Sequence, residues 1–228
     1  MSRLRFEGFF RGRRPLKGFC GNLIYFMALM KPRKTTKKTR IVARAKLPTR
    51  FGQFTIVGVE GRKGEEAVAL QHGRLDGKKA PLVRIHSQCL TGDVFTSERC
   101  DCRAQLEYSL RKIADEGSGV LLYLPQEGRG IGLLNKLRAY ELQDRGLDTV
   151  EANRELGFED DSRDYDFAAA ALKALGVHSV RLLSNNPEKV RQLERGGVRV
   201  AKRVPCRPRT SHHSRAYLQT KKDKLGHL

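Results

Sequence analysis

The chain has 228 residues, of which 39% are hydrophobic and 31% charged, and 45 Lys and Arg against 25 Asp and Glu give a formal net charge of +20. This hydrophobic content is sufficient for a buried core and excludes a chain that is disordered throughout. No apolar run approaches the roughly 20 residues that a membrane span needs, so a membrane-spanning protein is excluded as well.

Residues 1–40 form a basic extension with a net charge of +11 and a short apolar patch at Leu23–Met30. More basic residues follow this patch, where a secretory signal would have a small-residue cleavage site. We interpret the extension as a disordered tail, or as sequence upstream of a translation start at Met27 or Met30. An organellar presequence is the remaining alternative, although serine is scarce.

The rest of the chain divides by charge into a nearly neutral body and a basic end. Residues 41–198 have a net charge of +1 and residues 199–228 a net charge of +8. We predict one globular domain over residues 41–210 and a basic C-terminal tail or helix over residues 211–228. A nucleic-acid-binding function inferred from bulk charge therefore depends on the two ends alone.

The first part of the predicted domain has the pattern of short β-strands. Apolar and polar residues alternate in Gln53–Val59, Ala67–Gln71 and Pro81–His86, and turns rich in Gly and Lys separate these runs. Alternation of this kind is typical of antiparallel strands with one solvated face.

From residue 100 onward helices and strands alternate. Leu106, Leu110 and Ile113 mark one face of a helix, and the continuous apolar run Gly119–Leu124 follows as a buried strand. The remaining predicted elements are helices over Ile131–Arg145 and Phe167–Leu175, strands over Ser179–Leu183 and Val198–Val204, and a helix between these strands with Pro187 in its first turn. An antiparallel β-rich N-terminal part followed by βαβ-like units predicts an α+β (mixed α/β) fold around a mixed sheet.

Five cysteines, an odd number, favour a reducing compartment over a disulfide framework, so we expect a cytoplasmic protein. Cys89, Cys100 and Cys102 are clustered, and three thiolates would leave a fourth position open on zinc, which is typical of a catalytic site. Ordinary buried thiols are the alternative. The metal site is favoured because the same segment contains side chains that an apolar core would not: His86, Asp93, Glu98 and Asp101.

Two strand-to-helix junctions have residues that suit an anion. Gly128, Arg129 and Gly130 follow a predicted strand, where backbone N–H groups can approach a phosphate and the arginine can donate to it. A plain tight turn explains the same residues. The segment Ser184–Lys189 is either a second anion-binding junction or a helix N-cap with proline at the first helical position.

Two further groups of charged residues have both a functional and a simpler interpretation. Lys136 and Tyr140 share a face of their predicted helix, and a solvated basic face is the simplest interpretation of Lys136 and Arg138. The run Glu159–Asp166 places acids around Arg163. It fits an exposed, acid-rich helix N-terminus, or a carboxylate general base beside a phosphate-binding arginine.

Taken together, these segments resemble the GTP cyclohydrolase II family. The motifs that carry the resemblance are, in chain order, His86–Asp93, Arg99–Cys102, Gln126–Leu133, Thr149–Asn153, Leu156–Phe158 and Leu183–Pro187. The resemblance implies a hydrolase that opens the imidazole ring of GTP at C8. Its products would be formate, pyrophosphate and 2,5-diamino-6-ribosylamino-pyrimidinone 5'-phosphate, in the first step of riboflavin biosynthesis.

The resemblance also implies roles for individual residues. Cys89, Cys100 and Cys102 would bind one zinc ion per subunit, and magnesium would accompany the substrate phosphates. The implied catalytic residues are Asp161 as general base, Arg163 as nucleophile at the α-phosphorus and Tyr140 in ring opening. The implied GTP contacts are Arg84, Ile85, His86, Ser87, Gln88, Gln105, Glu127, Gly128, Arg129, Thr149, Ser184 and Lys189. The family further implies a homodimer. From the composition we expect no membrane partner, and a nucleic-acid partner is disfavoured.

Elementary chemistry qualifies one of these roles, and two residues depart from the family pattern. The guanidinium group has a pKa above about 12 and is therefore protonated at neutral pH, which disfavours its acting as a nucleophile. We expect Arg163 to be essential, and stabilisation of the phosphate charge is the alternative to covalent attack. Gln88 stands where glutamate is usual, which removes a negative charge beside the metal, and Ser184 stands where threonine is usual.

Two other functions remain as alternatives. The first is a related enzyme that stops at a formamidopyrimidine nucleotide, against which the presence of Tyr140 argues. The second is a basic nucleic-acid-binding protein with a structural zinc site, which would have no need of Tyr140, Asp161 or Arg163.

Overall fold

The computed structural model of the chain describes residues 38–75, 80–159 and 161–208. The predicted basic extension, residues 1–40, lies outside the described residues except for residues 38–40. The predicted basic tail or helix, residues 211–228, lies wholly outside them. Within the described ranges, no helix has both the length and the apolar character that crossing a membrane would require.

Seven strands of the described residues form one sheet, in the order β1-β2-β3-β5-β4-β6-β7. Their bounds are β1 (Arg40–Thr49), β2 (Gly52–Glu60), β3 (Glu66–His72), β4 (Leu82–Ser87), β5 (Gly119–Leu124), β6 (Ser179–Leu183) and β7 (Arg199–Val204). The pairs β1–β2, β2–β3 and β3–β5 are antiparallel, whereas β5–β4, β4–β6 and β6–β7 are parallel. The predicted mixed sheet, with an antiparallel N-terminal part and βαβ-like units after it, is confirmed.

Six α-helices lie within the same described ranges. Their bounds are α1 (Leu90–Asp93), α2 (Cys102–Asp115), α3 (Leu133–Asp144), α4 (Thr149–Glu155), α5 (Asp166–Ala174) and α6 (Pro187–Arg195), and a short 3-10 helix at Glu127–Gly130 precedes α3. The helix predicted from residue 131 begins only at Leu133, because Gly132 has a φ of 83°, outside the helical region.

The start of α6 illustrates how local sequence determines an element. Pro187 occupies the first helical position, where its missing N–H costs no hydrogen bond. The side chain of Asn186 accepts a hydrogen bond from the backbone N–H of Glu188 at 2.8 Å. The N-cap interpretation of this segment is therefore confirmed.

The core lies on both faces of the sheet. Alternate residues of β5 point to opposite sides, so that Val120 and Leu122 belong to one apolar cluster and Leu121 to the other. Helices α5 and α6 pack on the first face and α2 packs on the second. Burial on both faces explains why β5 is apolar throughout and was predictable from the sequence.

The parallel half of the sheet positions the functional residues. Strands β4, β5 and β6 run in the same direction and end at Ser87, Leu124 and Leu183. The segments that follow these three residues therefore emerge at one edge of the sheet. Ligands of open α/β sheets bind at the carboxyl edge of the strands, so a ligand-binding site is expected at this edge.

Candidate active site

A cavity of about 420 Å³ lies among the segments that follow β4, β5 and β6. The sequence-predicted residues that line it are Arg84, His86, Ser87, Gln88, Cys89, Cys100, Cys102, Gln105, Glu127, Gly128, Arg129, Tyr140, Thr149, Arg163, Ser184 and Lys189. Two predicted residues do not line it. Ile85 is fully buried in the core, and only its carbonyl oxygen serves the site, by accepting a hydrogen bond from Lys189 Nζ at 2.8 Å. Asp161 is not a lining residue, but it forms an ion pair with Arg163, which is one.

The three clustered cysteines converge on one point of this cavity. Their sulfur atoms all lie within 4.8 Å of one another, and those of Cys89 and Cys100 are 3.7 Å apart. Tetrahedral Zn–S bonds of about 2.3 Å would separate two sulfurs by about 3.8 Å. The donor set and its spacing therefore fit a thiophilic metal such as zinc.

Helix α1 can approach the cysteines because it contains Gly92. A Cβ atom at this position would lie 3.0 Å from the Cys100 sulfur and 3.2 Å from the Cys89 sulfur. Both distances are shorter than ordinary van der Waals contact. The absence of a side chain at Gly92 thus leaves room for the sulfur cluster.

The environment favours a thiolate at Cys89. Hydrogen bonds from Cys100 and Cys102, together with the positive charge of Lys136, outweigh burial and hold the pKa of the Cys89 thiol far below its ordinary value. For Cys100 a hydrogen bond from Cys102 lowers the pKa, but the hydrogen bond and charge of Cys89 and burial raise it to about 11. A thiolate is the form that binds metals, so Cys89 is prepared as a ligand.

Lys136 does not lie on a solvated face, and this interpretation was wrong. The residue is 8% exposed, and its Nζ donates to Cys89 Sγ at 3.1 Å, Thr91 Oγ1 at 2.9 Å and Glu127 Oε1 at 2.7 Å. Burial lowers the pKa of the ammonium, but the bond to Glu127 and the charge of Cys89 raise it above the ordinary value, so Lys136 stays charged. Arg138, two residues further along the same helix, is exposed as expected.

Tyr140 extends from α3 toward the cysteine cluster. Its hydroxyl is 3.2 Å from Thr91 Oγ1, which is in turn 3.6 Å from the Cys89 sulfur. The guanidinium of Arg99 stacks on the Tyr140 ring at 4.6 Å. Burial raises the pKa of Tyr140, and the phenol therefore remains protonated and able to donate a proton.

Within β4, a histidine side chain is oriented by a carboxylate. His86 Nε2 lies 3.1 Å from both carboxylate oxygens of Asp93. Asp93 also accepts hydrogen bonds from the backbone N–H of Cys89 at 3.0 Å and from the Tyr123 hydroxyl at 2.9 Å. Burial lowers the pKa of His86, which keeps the imidazole neutral at neutral pH. Asp93 thus links the orientation of His86 to the position of the first cysteine.

Buried cations line the other side of the cavity. Arg84 is 5% exposed and donates to the carbonyl oxygen of Leu183 at 3.0 Å and to the Gln105 side chain. Lys189 lies 5.1 Å from the centre of the Tyr165 ring. Both side chains line the cavity, and an anionic ligand there would be attracted to their positive charges.

The loop after β5 adopts an unusual backbone conformation. Gly128 and Arg129 have φ angles of 62° and 60°. This region suits glycine but is strained for an arginine, and strain of this kind concentrates at functional sites. Gly130 also has a positive φ, of 98°, and a Cβ there would lie 3.2 Å from the carbonyl oxygen of Ser162. The loop therefore presents Arg129 to the cavity through a conformation that its flanking glycines permit.

Within the acidic run, Asp161 and Arg163 form a two-pronged ion pair. Arg163 Nε donates to Asp161 Oδ1 at 2.7 Å and Arg163 Nη2 donates to Oδ2. Burial raises the pKa of Asp161, but the hydrogen bonds and charge of Arg163 outweigh it and the net shift is downward. The acidic run is thus more than an exposed helix N-terminus, because it holds an arginine at the cavity wall.

Sequence reasoning assigned no site role to several cavity residues. Lys136, Arg99, Asp148 and Asn153 also line the cavity. Asp148 could have been found, because Asp148 and Glu151 form a capping box at the start of α4. For Lys136 no local pattern distinguishes a buried lysine from a solvated one.

The family model and two similar proteins that match this chain carry the same name. The family model described as GTP cyclohydrolase II matches residues 39–205. A protein named GTP cyclohydrolase-2 from Azotobacter vinelandii is 55% identical over 188 residues, which cover 82% of this chain and 90% of the relative. Another of that name from Pseudomonas paraeruginosa is 57% identical over 188 residues, covering 82% of this chain and 92% of the relative.

Two further similarities are partial. A riboflavin biosynthesis protein of Vibrio vulnificus is 54% identical over 185 residues, which are 81% of this chain but 50% of the relative, so this chain spans about half of that protein. A solved structure of RibBX, described as a two domain 3,4-dihydroxy-2-butanone 4-phosphate synthase from A. baumannii, superposes with a TM-score of 0.37 and 17% identity. This superposition covers 72% of this chain and 38% of that one.

Proposed function

The chain belongs to the GTP cyclohydrolase II family, and from this premise we propose that it opens the imidazole ring of GTP at C8. The products are formate, pyrophosphate and 2,5-diamino-6-ribosylamino-pyrimidinone 5'-phosphate, and the reaction is the first step of riboflavin biosynthesis. Relatives that are 54–57% identical to it over 188–192 aligned residues carry the name GTP cyclohydrolase-2.

One observation carries the proposal. A single cavity combines a cluster of three cysteines with a set of arginine and lysine side chains. The cysteines suit a metal that promotes hydrolysis, and the cations suit a polyphosphate. A nucleoside triphosphate that is hydrolysed at its base needs both.

Cys89, Cys100 and Cys102 would hold the zinc ion. When bound, zinc supplies Lewis-acid chemistry that makes water a nucleophile at neutral pH. The protein contributes the fixed position of the sulfurs, the backbone of α1 that approaches them at Gly92, and the charge of Lys136 beside Cys89.

Arg84, Arg129, Arg163 and Lys189 bind the phosphates in this proposal, together with magnesium. All four line the cavity, and Arg84 and Lys189 are buried. The nucleotide's other contacts are assigned to the remaining lining residues that the family resemblance implies, which are His86, Ser87, Gln88, Gln105, Glu127, Gly128, Thr149 and Ser184.

We assign Arg163 the role of a cation at the α-phosphate. Asp161 accepts two hydrogen bonds from its side chain, and a carboxylate in this position stabilises the protonated guanidinium. The downward shift in the pKa of Asp161 also makes this carboxylate a weak base. Both facts favour charge stabilisation over deprotonation of Arg163 and its covalent attack on phosphorus.

Tyr140 is the proposed proton donor in ring opening. Its pKa is raised by burial, so the phenol is protonated at neutral pH. The Thr91 hydroxyl holds the phenol near the Cys89 sulfur, which puts a proton source next to the place where water would attack.

The proposed setting is a homodimer in the cytoplasm. The four cysteines of the described residues are free thiols, and thiols persist in reducing compartments. The homodimer is implied by the family and is assigned on that ground.

The direct test incubates zinc-loaded protein with GTP and magnesium and measures formate and pyrophosphate. We expect both products, together with the pyrimidinone nucleotide. Pyrophosphate without formate would indicate the related enzyme that stops at a formamidopyrimidine. If neither product formed, the proposed function would be wrong.

A matched variant tests the role of the cysteines. Cys100→Ser removes one sulfur donor from the cluster, whereas Cys206→Ser alters a buried cysteine of the apolar core that is not part of the cluster. We expect metal content and formate release to be lost in the first variant and retained in the second. Ring opening by Cys100→Ser would contradict the zinc assignment.

A further inference from the structure

We propose that Lys136 is a positioning residue of the metal centre, which holds the Cys89 sulfur in place as a ligand and offsets the negative charge of the ligand set. This inference rests on the proposed zinc site. Neither the motifs that carry the family resemblance nor the roles it implies include this lysine.

The geometry of Lys136 is that of a fully used donor. An ammonium has three N–H bonds, and the three partners of Nζ are Cys89 Sγ, Thr91 Oγ1 and Glu127 Oε1, at 3.1, 2.9 and 2.7 Å. Cys89 is the N-cap residue of helix α1 and Thr91 lies within that helix, whereas Glu127 is the first residue of the 3-10 helix after β5. Lys136 therefore ties the first cysteine to the rest of the cavity wall.

Charge balance gives the lysine a second effect. Three thiolates and one divalent metal ion sum to a single negative charge, and the buried carboxylate of Glu127 adds another. The ammonium of Lys136 lies in direct contact with one sulfur and with that carboxylate, and it compensates one of the two charges. Removing partners that hydrogen-bond to metal ligands typically weakens metal binding about 10- to 100-fold.

Lys136 is not needed merely as a partner for Glu127. The Glu127 carboxylate also accepts hydrogen bonds from the backbone N–H groups of Leu90 at 2.6 Å and Gly128 at 3.0 Å. A lysine that served only to satisfy this carboxylate would have no reason to contact the Cys89 sulfur. The two roles, ligand positioning and neutralisation of Glu127, can be separated by experiment.

The experiment measures zinc binding by the full chain in competition with a chromophoric chelator, without GTP. Lys136→Met keeps the length of the side chain and removes the donor and the charge. We expect zinc affinity to fall by at least about tenfold. Lys173→Met is the matched control, because Lys173 is exposed, its Nζ donates to the carbonyl oxygen of Gly196, and it does not line the cavity. The zinc affinity of this variant should equal that of the unaltered protein.

A double variant distinguishes the two roles and guards against misfolding. Lys136→Met combined with Glu127→Gln removes the ammonium and the carboxylate of this ion pair together, so neither charge is left without its partner. If Lys136 positions Cys89, the double variant should bind zinc at least about tenfold more weakly than Glu127→Gln alone. If Lys136 acts only on Glu127, the double variant and Glu127→Gln should bind zinc equally, which would overturn the inference.

Cobalt substitution gives an independent readout at the sulfur. Loss of an N–H···S hydrogen bond raises the energy of the sulfur lone pair, so the sulfur-to-cobalt charge-transfer band of Lys136→Met should move to longer wavelength. An unchanged band together with unchanged zinc affinity would refute the role of Lys136.

The outcomes for this inference and for the proposed function can be told apart. An unaltered chain that binds zinc but does not open GTP would refute the proposed function alone, whereas a chain that binds no zinc would refute both.

Discussion

The ionisable side chains around the cavity are held in particular charge states by their neighbours. Burial keeps His86 neutral and Tyr140 protonated at neutral pH. The Asp161–Arg163 pair holds both of its members in their charged forms. A site with fixed charges spends little free energy on reorganisation when a charged substrate arrives.

Asp161→Asn tests this description through the pH dependence of stability. The folded-state pKa of Asp161 lies below its ordinary value of 3.8, so the carboxylate stabilises the fold fully above that value and the effect disappears as the pH falls through the folded-state pKa. The variant should therefore be less stable than the unaltered protein by a constant amount from about pH 5 upward, and the difference should shrink below about pH 4. Urea unfolding at a series of pH values measures it.

The control for this series is Asp115→Asn, at an exposed position near the end of α2. Its free energy of unfolding should follow that of the unaltered protein at every pH. If the penalty of Asp161→Asn stayed the same down to about pH 3, folding would not lower the pKa of Asp161, and the proposed effect of the pair with Arg163 would be wrong.

At the level of single residues, the sequence predicts side chains that belong to long motifs and misses those that depend on distant partners. The cysteines and Arg129 were predictable because their neighbours are distinctive. The burial of Lys136 depends on Glu127, nine residues away, and on Cys89, 47 residues away. Only the fold brings these three together, so an isolated lysine on a helix was assigned to solvent by default.

At the level of elements, the strands of the parallel half were the easiest to predict. Gly119–Leu124 and Ser179–Leu183 have the predicted bounds, since both run through the core. Helix α4 was not predicted, because its seven residues include few apolar ones and show no helical periodicity. Its signal was instead the capping box formed by Asp148 and Glu151.

The capping box makes α4 testable, because this helix carries Thr149 and Asn153 to the cavity. The Asp148 side chain accepts hydrogen bonds from the backbone N–H groups of Val150 at 2.7 Å and Glu151 at 3.0 Å. Asp148→Ala should lower the free energy of unfolding by about 1 kcal/mol and raise the KM for GTP, since the first turn of α4 frays. Urea unfolding and steady-state kinetics measure the two effects.

Asp148→Ser separates the cap from a direct contact with substrate. Serine is also a good N-cap residue, so this variant should recover most of the stability and most of the affinity for GTP. A serine variant that regained stability but kept the high KM would show that the carboxylate itself contacts the nucleotide, contrary to our expectation.

At the level of the whole molecule, the net charge of +20 is not what recognises a polyanion. The predicted site residues that line the cavity lie between Arg84 and Lys189, inside a body, residues 41–198, whose net charge is +1. In the proposed function, recognition therefore depends on a few arginine and lysine side chains at fixed positions. The excess charge lies at the ends of the chain, where its contribution is long-range attraction at most.

Deleting residues 1–30 tests this separation of site and bulk charge. The family match begins at residue 39, and the segment removed carries six basic residues and one acidic residue. We expect kcat and zinc content to be unchanged.

The salt dependence of kcat/KM shows whether the segment attracts GTP. At about 0.15 M salt the Debye length is about 8 Å, so long-range attraction is largely screened and kcat/KM should also be retained. At low salt kcat/KM should fall if the segment attracts GTP. A large loss of kcat at any ionic strength would mean that these residues belong to the working site, because bulk charge changes the rate of encounter and leaves the bound complex as it is.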